Sequence, residues 1–296
     1  MKIDYCKNPN GNFGDDLNAW LWPKLIPELL EKDDNNYLIG IGTILSKNNI
    51  PAHGKKIVFG SGTGYKSDAK IDNTWDIIGV RGGKTVKKYR LSNDKILCDG
   101  AYLVRKVVRL DDFARGGRTG FMPHWKSLDL FDWDTECRRL GLHYISPQMS
   151  VDDVLNNMKQ CNKIIAEAMH GAIVADALRI PWCAVSFGPS FLKFKWDDWA
   201  SVLNLKLEIH QLPFVVNANV PKKLIRVWKV KQFLGSFGLG KEKWRKFPKI
   251  NTHKDRLLDK IQLLAASDKF QLSGDEILIS LDRKLDIALQ YLKENY

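Results

Sequence analysis

Several residues of this chain stand where an apolar run gives way to glycine, and their types suit proton transfer and the gripping of an anion. His170 sits in Glu167-Ala168-Met169-His170-Gly171-Ala172, at a strand-to-helix turn. A histidine at a helix start is held less basic by the helix dipole and favours anionic partners. Its alternative is a structural residue satisfied within the fold. Asp15 and Asp16 lie in Gly11-Asn12-Phe13-Gly14-Asp15-Asp16-Leu17-Asn18, a polar loop that follows a strand and opens a helix. Carboxylates there can accept hydrogen bonds from sugar hydroxyls and remove a proton, or simply cap the helix. Arg81 directly follows an apolar run and precedes Gly82-Gly83, so its guanidinium suits a bidentate grip on a carboxylate or phosphate. His124, after Pro123, is placed similarly. Lys193-Phe194-Lys195-Trp196-Asp197-Asp198-Trp199 sets cations beside tryptophans. Such rings stack on sugars, or they anchor an amphipathic helix in a core.

The elements that must position these residues read as a repeating strand, glycine loop and helix, the signature of parallel sheets covered by helices. Strands are expected at Lys2–Cys6, Tyr37–Ile41, Lys56–Phe59, Asp76–Val80 and Ile96–Cys98. One bent helix is expected over Asp16–Leu30, with Leu17, Leu21, Leu25 and Leu29 on one face and Pro23 and Pro27 interrupting it. The stretch Arg109–Arg118 turns polar and glycine-bearing, which suggests a boundary. Strands resume at Thr119–Met122, Leu142–Ile145, Lys163–Ala166 and Trp182–Val185. Helices are expected after Ser150, an N-cap, and over Met169–Leu178. The pattern gives an N-terminal unit over residues 1–110, a second over 111–250, and two C-terminal helices within 251–296, parted near Ser273-Gly274. Both units read as Rossmann-like and doubly wound, facing each other across a cleft in a GT-B-like arrangement. Every glycine loop then lies at the carboxyl ends of the strands, where open α/β sheets bind ligands.

The formal net charge is +12, with a pI near 9.4. That balance suits an anionic partner. No helix-turn-helix, zinc-finger or RNA-binding signature accompanies it, so nucleic acid is not the expected partner. The five cysteines, Cys6, Cys98, Cys137, Cys161 and Cys183, are scattered and never form a CxxC pair. A disulfide framework and a zinc site are therefore not expected, and a reducing, cytoplasmic compartment is. No secretory signal and no membrane-spanning run is read. No P-loop, GxGxxG, HExxH or GxSxG motif occurs, and Gly60-Ser61-Gly62-Thr63-Gly64 has the wrong spacing for a dinucleotide site. The most basic segment, Lys222–Lys249, interleaves lysines and arginines with Trp228, Phe233, Phe237, Trp244 and Phe247. It is expected either to touch an anionic membrane peripherally, at the inner face of the cytoplasmic membrane, with Trp228, Phe233, Phe237 and Trp244 inserting at headgroup depth, or to pack these rings inward beneath a solvated coat of lysines.

Together Gly11-Asn12-Phe13-Gly14-Asp15-Asp16, Arg81-Gly82, Asp99-Gly100-Ala101, Pro123-His124, Met169-His170-Gly171-Ala172-Ile173 and Lys193–Trp199 resemble the polysaccharide pyruvyl transferase family, specifically its exopolysaccharide and capsule ketal-pyruvate members. The resemblance covers roughly Met1–Trp199. It implies phosphoenolpyruvate as donor, a saccharide as acceptor, free or lipid-linked, and a cyclic ketal as product. No metal and no cofactor is implied. Carried onto this chain, His170 becomes the general acid or a phosphate ligand and Asp15 the hydroxyl base. Arg81, His124, Gly171 and Lys193 then hold the donor, while Asn12, Asp16 and Trp196 meet the acceptor. One departure stands out. Many relatives carry an arginine two residues before the histidine, where this chain has Ala168. The rival reading on the same scaffold is a nucleotide-sugar-dependent glycosyltransferase.

Overall fold

Two parallel sheets organise the chain. The computed structural model describes residues 1–32, 35–46, 50–64, 68–113, 116–217, 220–238, 249–250 and 253–296. The first sheet comprises β1 (Lys2–Ile3), β2 (Tyr37–Ile39), β3 (Lys56–Ser61) and β4 (Trp75–Val80), hydrogen-bonded in that order. The second comprises β5 (Arg118–Met122), β6 (His143–Tyr144), β7 (Cys161–Ala166), β8 (Trp182–Ser186) and β9 (Ile209–Gln211), in the order β6-β5-β7-β8-β9. All pairings are parallel.

The two orders differ in kind. In the second sheet the winding reverses between β5 and β7, so a crevice opens at their carboxyl ends. The first sheet runs in chain order with no reversal, so only the second is doubly wound in the expected sense. Ile96–Cys98, expected as a strand, makes a single parallel bridge from Ile96 to Val80.

Helices connect the strands: α1 (Phe13–Leu25), α2 (Pro27–Glu31), α3 (Gly83–Tyr89), α4 (Trp133–Arg139), α5 (Val151–Lys159), α6 (Met169–Ala177) and α7 (Lys193–Ala200). The expected single helix over 16–30 is two. Pro23 is accommodated inside α1, and the chain breaks at Ile26, whose non-helical backbone (φ -141°, ψ 48°) lets Pro27 start α2 where proline's missing N–H is harmless. Ser150 caps α5 as expected, its Oγ accepting from Asp153 N at 3.1 Å, with Asp152 and Asp153 in the first turn. Three further helices follow: α8 (Lys222–Ser236), α9 (Lys254–Ala265) and α10 (Asp275–Asn295).

Strand pleating distributes the core. Ile57 and Phe59 of β3 and Ile164 and Ala166 of β7 face one shared apolar cluster, which also takes Leu17, Leu21 and Trp22 of α1, Ile173 of α6 and Leu281, Leu285 and Leu292 of α10. Their neighbours point the other way. Val58 joins Ile39, Ile44 and Val86 beneath the first sheet, and Ile165 joins Phe121, Trp133, Phe187 and Phe214 beneath the second. The inner faces of the two sheets thus share one continuous core, which fixes the strand ends that carry the candidate residues.

Candidate functional site

A cavity of about 310 Å³ opens beyond the carboxyl ends of β5 and β7, where the winding reverses. Much of its wall comes from three helix starts. Asn12–Asp15 open α1, Glu167–His170 open α6, and Ser190–Leu192 with Lys195 and Trp196 open α7. The first turn of a helix leaves backbone N–H groups without intrahelical acceptors and carries the positive end of the dipole. Three such ends converging on one space favour an anion there.

His170 is the second residue of α6 and its side chain is 15% exposed. Its Nε2 lies 3.6 Å from Oδ2 of Asp99, a carboxylate with no exposed surface. The other Asp99 oxygen accepts from Ala101 N at 3.0 Å, capping a short helical turn over Gly100–Lys106. A histidine from the second sheet's helix is thereby set against an aspartate from the end of the first sheet's last bridge. Gly14 makes the approach possible. A Cβ on Gly14 would lie 1.9 Å from His170 Nδ1, so any side chain there would expel the imidazole.

Asp15 faces the same cavity. Burial holds its carboxyl above the usual carboxylate range, against the opposing pull of His170, an Asn12 hydrogen bond and Lys195. A carboxylate raised in this way accepts a proton more readily. Asn12 donates to it through Nδ2. Asp16 does not line the cavity. Its Oδ2 accepts from Asn12 N at 2.8 Å, so it ties down the start of α1, the capping role that the loop left open.

The donor-side residues divide. Lys193 points outward, its side chain 67% exposed and paired with Asp197 one turn along. The lysine that reaches the cavity is Lys195. Among the described lining residues no other lysine or arginine appears. Burial, with the nearby Arg81 and Lys126 charges, lowers its ammonium to about 8, partly offset by Asp15 and Asp99. Gly64 leaves room for its stem, since a Cβ there would come within 2.7 Å of Lys195 Cγ.

His124 lines the cavity beside it. Burial, then the charges of Lys195 and Lys126, press its imidazole down to about 3, so the ring is neutral. Its Nδ1 accepts from Lys126 N at 3.3 Å, which leaves the proton on Nε2 as a donor. Glu167, 1% exposed, also borders the cavity and accepts from the backbone N–H groups of His124 at 2.9 Å and Gly188 at 3.4 Å. It holds the loops after β5 and β8 in place, with burial raising its carboxyl.

Arg81 lies elsewhere. It is wholly buried, its Nε donating to Asp198 Oδ2 at 3.0 Å and its Nη2 to Thr63 O at 2.8 Å. Thr85 also donates to Asp198, through its N–H at 2.8 Å and its hydroxyl at 2.7 Å. Gly62 admits the guanidinium, because a Cβ there would sit 2.4 Å from Cζ. Arg81 therefore clasps α7 to the end of β4 rather than lining the cavity. Gly171 is buried against Met122, whose Sδ would be 2.6 Å from an added Cβ, and it too stands behind the wall. Trp196 borders the cavity but is 2% exposed, packed among Phe191, Trp182 and Trp199.

The structure thus brings Asn12, Asp15, His124, His170 and Trp196 to one cavity. It sets Asp16, Arg81, Gly171 and Lys193 outside it. Lys195 and Asp99 were not among the expected site residues. The i,i+4 spacing of Lys193 and Asp197 was a usable signal, since that pair engages the outer lysine and leaves Lys195 on another face.

Comparison with known proteins identifies related sequences. The sequence model described as polysaccharide pyruvyl transferase matches residues 3–189, which contain all the described lining residues except the start of α7. The succinoglycan biosynthesis protein ExoV of Rhizobium meliloti (strain 1021) is 38% identical over 230 residues, covering 77% of this chain and 73% of that protein. No solved structure matches.

Proposed function

This chain belongs to the polysaccharide pyruvyl transferase family, and from that premise we propose that it moves the pyruvyl unit of phosphoenolpyruvate onto two hydroxyls of a saccharide, forming a cyclic ketal and releasing phosphate. The reaction would serve exopolysaccharide or capsule assembly, on a free or lipid-linked acceptor, in the cytoplasm or at the inner face of its membrane. The observation that carries this reading is the convergence of three helix starts and Lys195 on a cavity that also holds Asp15 and His170. A donor with both a carboxylate and a phosphate needs cations and dipole ends, and its acceptor needs a base.

Residue roles follow from chemistry. Lys195 and the amides opening α6 hold the donor anion, Lys195 supplying the charge that Ala168 does not. His124 donates from Nε2. His170 protonates the methylene carbon of phosphoenolpyruvate, leaving an oxocarbenium-like centre at the carbon bearing the phosphate. A sugar hydroxyl adds there as Asp15 takes its proton. The bond to phosphate oxygen then breaks, and a second hydroxyl closes the ring. Of the two hydroxyl protons, one replaces that given to carbon and the other leaves with phosphate. The donor side belongs to the unit over residues 111–250 and the acceptor side to residues 1–110, consistent with a GT-B-like division. Phosphate release from phosphoenolpyruvate by the purified chain, dependent on an added saccharide, is the expected result. Turnover of a nucleotide sugar with phosphoenolpyruvate inert would overturn it.

A further inference from the structure

The helix α8 lies outside the cavity and has an outward face of unusual composition. Of its residues Trp228 and Gly235 are buried. Trp228 packs on Phe214, ring centroids 5.8 Å apart. It is therefore an inward anchor, not the inserted ring that the sequence suggested. The residues on the opposite side are apolar and exposed: Val227 at 39%, Val230 at 56%, Phe233 at 63% and, just past the helix, Phe237 at 66%. Phe233 and Phe237 pair with centroids 4.9 Å apart. At 100° per residue these four fall within one stripe. Lys222, Lys223, Arg226, Lys229 and Lys231 surround it, and α8 carries no acidic residue. Among the described residues none of the five basic side chains joins an ion pair. The sequence beyond adds Lys241, Lys243, Trp244, Arg245, Lys246 and Phe247, which lie outside the described residues.

We infer that the outward face of α8 docks on an anionic lipid surface, with Phe233 and Phe237 at headgroup depth. A protein partner would answer the apolar stripe with apolar surface and would need an acid for each of five lysines and arginines. An anionic bilayer answers both at once, accepting rings at its interface and attracting cations from a Debye length away. No helix of the described residues is long and apolar enough to cross a membrane, so the contact is peripheral. The helix is also placed usefully. Phe214 follows β9 and packs on Phe187, which follows β8, with centroids 5.4 Å apart. Ser190 and Phe191, a few residues beyond Phe187, line the cavity. The docking helix is thus seated at the carboxyl ends of β8 and β9, the same edge of the sheet on which the cavity opens. Docking there would bring the cavity rim to the lipid surface. The inference stands without the donor assignment, because binding is read with no substrate present.

The test is co-sedimentation of the full chain with vesicles of phosphatidylcholine alone or with phosphatidylglycerol, at low and high salt. Expected is binding to the phosphatidylglycerol vesicles that is released by salt. Each basic residue contributes roughly fivefold to partitioning, so K222E/K223E/R226E, which removes three such charges and adds three opposed ones, should weaken it by about a hundredfold or more. F233S/F237S should weaken it as well, because the rings no longer enter the headgroup layer. All these positions are exposed, so melting temperature should not change. Equal sedimentation with both vesicle types, none with either, or binding unaltered by K222E/K223E/R226E would overturn the inference. So would a dimer on a sizing column that F233S/F237S dissociates, which would assign the face to a second copy of the chain.

Discussion

Nε2 of His170 and Oδ2 of Asp99 face each other at 3.6 Å, and neither atom has a hydrogen-bond partner among the described residues. The carboxylate comes from the end of the first sheet and the imidazole from a helix of the second. A buried carboxylate in that position faces one edge of the ring and orients it, so Asp99 acts as a positioning residue through His170. Asp99→Asn is expected to lower kcat by about tenfold to a hundredfold and leave the KM for phosphoenolpyruvate nearly unchanged. His170→Ala should lower kcat by about a hundredfold or more. Because the two act as a unit, the double variant should be scarcely worse than His170→Ala. Steady-state kinetics on the three variants checks this, and additive losses would separate the two roles.

Gly14 offers a test that leaves every polar group in place. The Cβ of Gly14→Ala would stand 1.9 Å from His170 Nδ1, so the ring must turn away. The expected outcome is a loss of turnover comparable to that of His170→Ala, about a hundredfold. Thermal melting alongside the kinetics distinguishes a displaced ring from a collapsed fold.

Lys195 gives the donor site a pH dependence. Its ammonium is lowered to about 8, chiefly by burial. The charge is present below that pH and lost above it. The KM for phosphoenolpyruvate should therefore rise about tenfold between pH 7 and pH 9, as the protonated fraction falls. Lys195→Arg should flatten that rise, since guanidinium keeps its charge, and Lys195→Met should raise KM at every pH. Lys193→Met should change neither. A pH profile of KM for each variant decides.

Arg81 and Asp198 are each without exposed surface. Removing one partner would strand the other's charge in the interior, which costs about 3–5 kcal/mol. Arg81→Ala and Asp198→Ala should each lower unfolding stability by that amount, and the double variant should lose less than their sum. Denaturant unfolding measures all three. A rise in KM with unchanged stability would return Arg81 to the donor site.

The residues differ in how far their sequence context revealed them. Ser150 followed by Asp152 and Asp153 announces a helix start by capping chemistry alone, and the helix begins there. His170 at a strand-to-helix turn and Asp15 in a polar loop were legible for the same local reason, and both reach the cavity. Arg81 and Lys195 were not. Arg81 follows a strand as a ligand-gripping arginine would, but its fate depends on Asp198, 117 residues away. Which of Lys193 and Lys195 turns inward depends on how α7 packs against α3, a tertiary fact of which the Lys193–Asp197 spacing was the one local sign. Trp228 was misjudged because an amphipathic helix has two faces, and only packing against Phe214 says which is the inner one. The strand order of the first sheet is equally non-local, since repeated strand and glycine loops look alike whether or not the winding reverses.

The shared core beneath both sheets and the Arg81–Asp198 clasp have a consequence for how water is kept from the chemistry. Halves joined in this way would tend to move as one body, so a substrate would enter a mouth that already stands open. On the proposed reading, the arriving sugar would itself cover the bound donor.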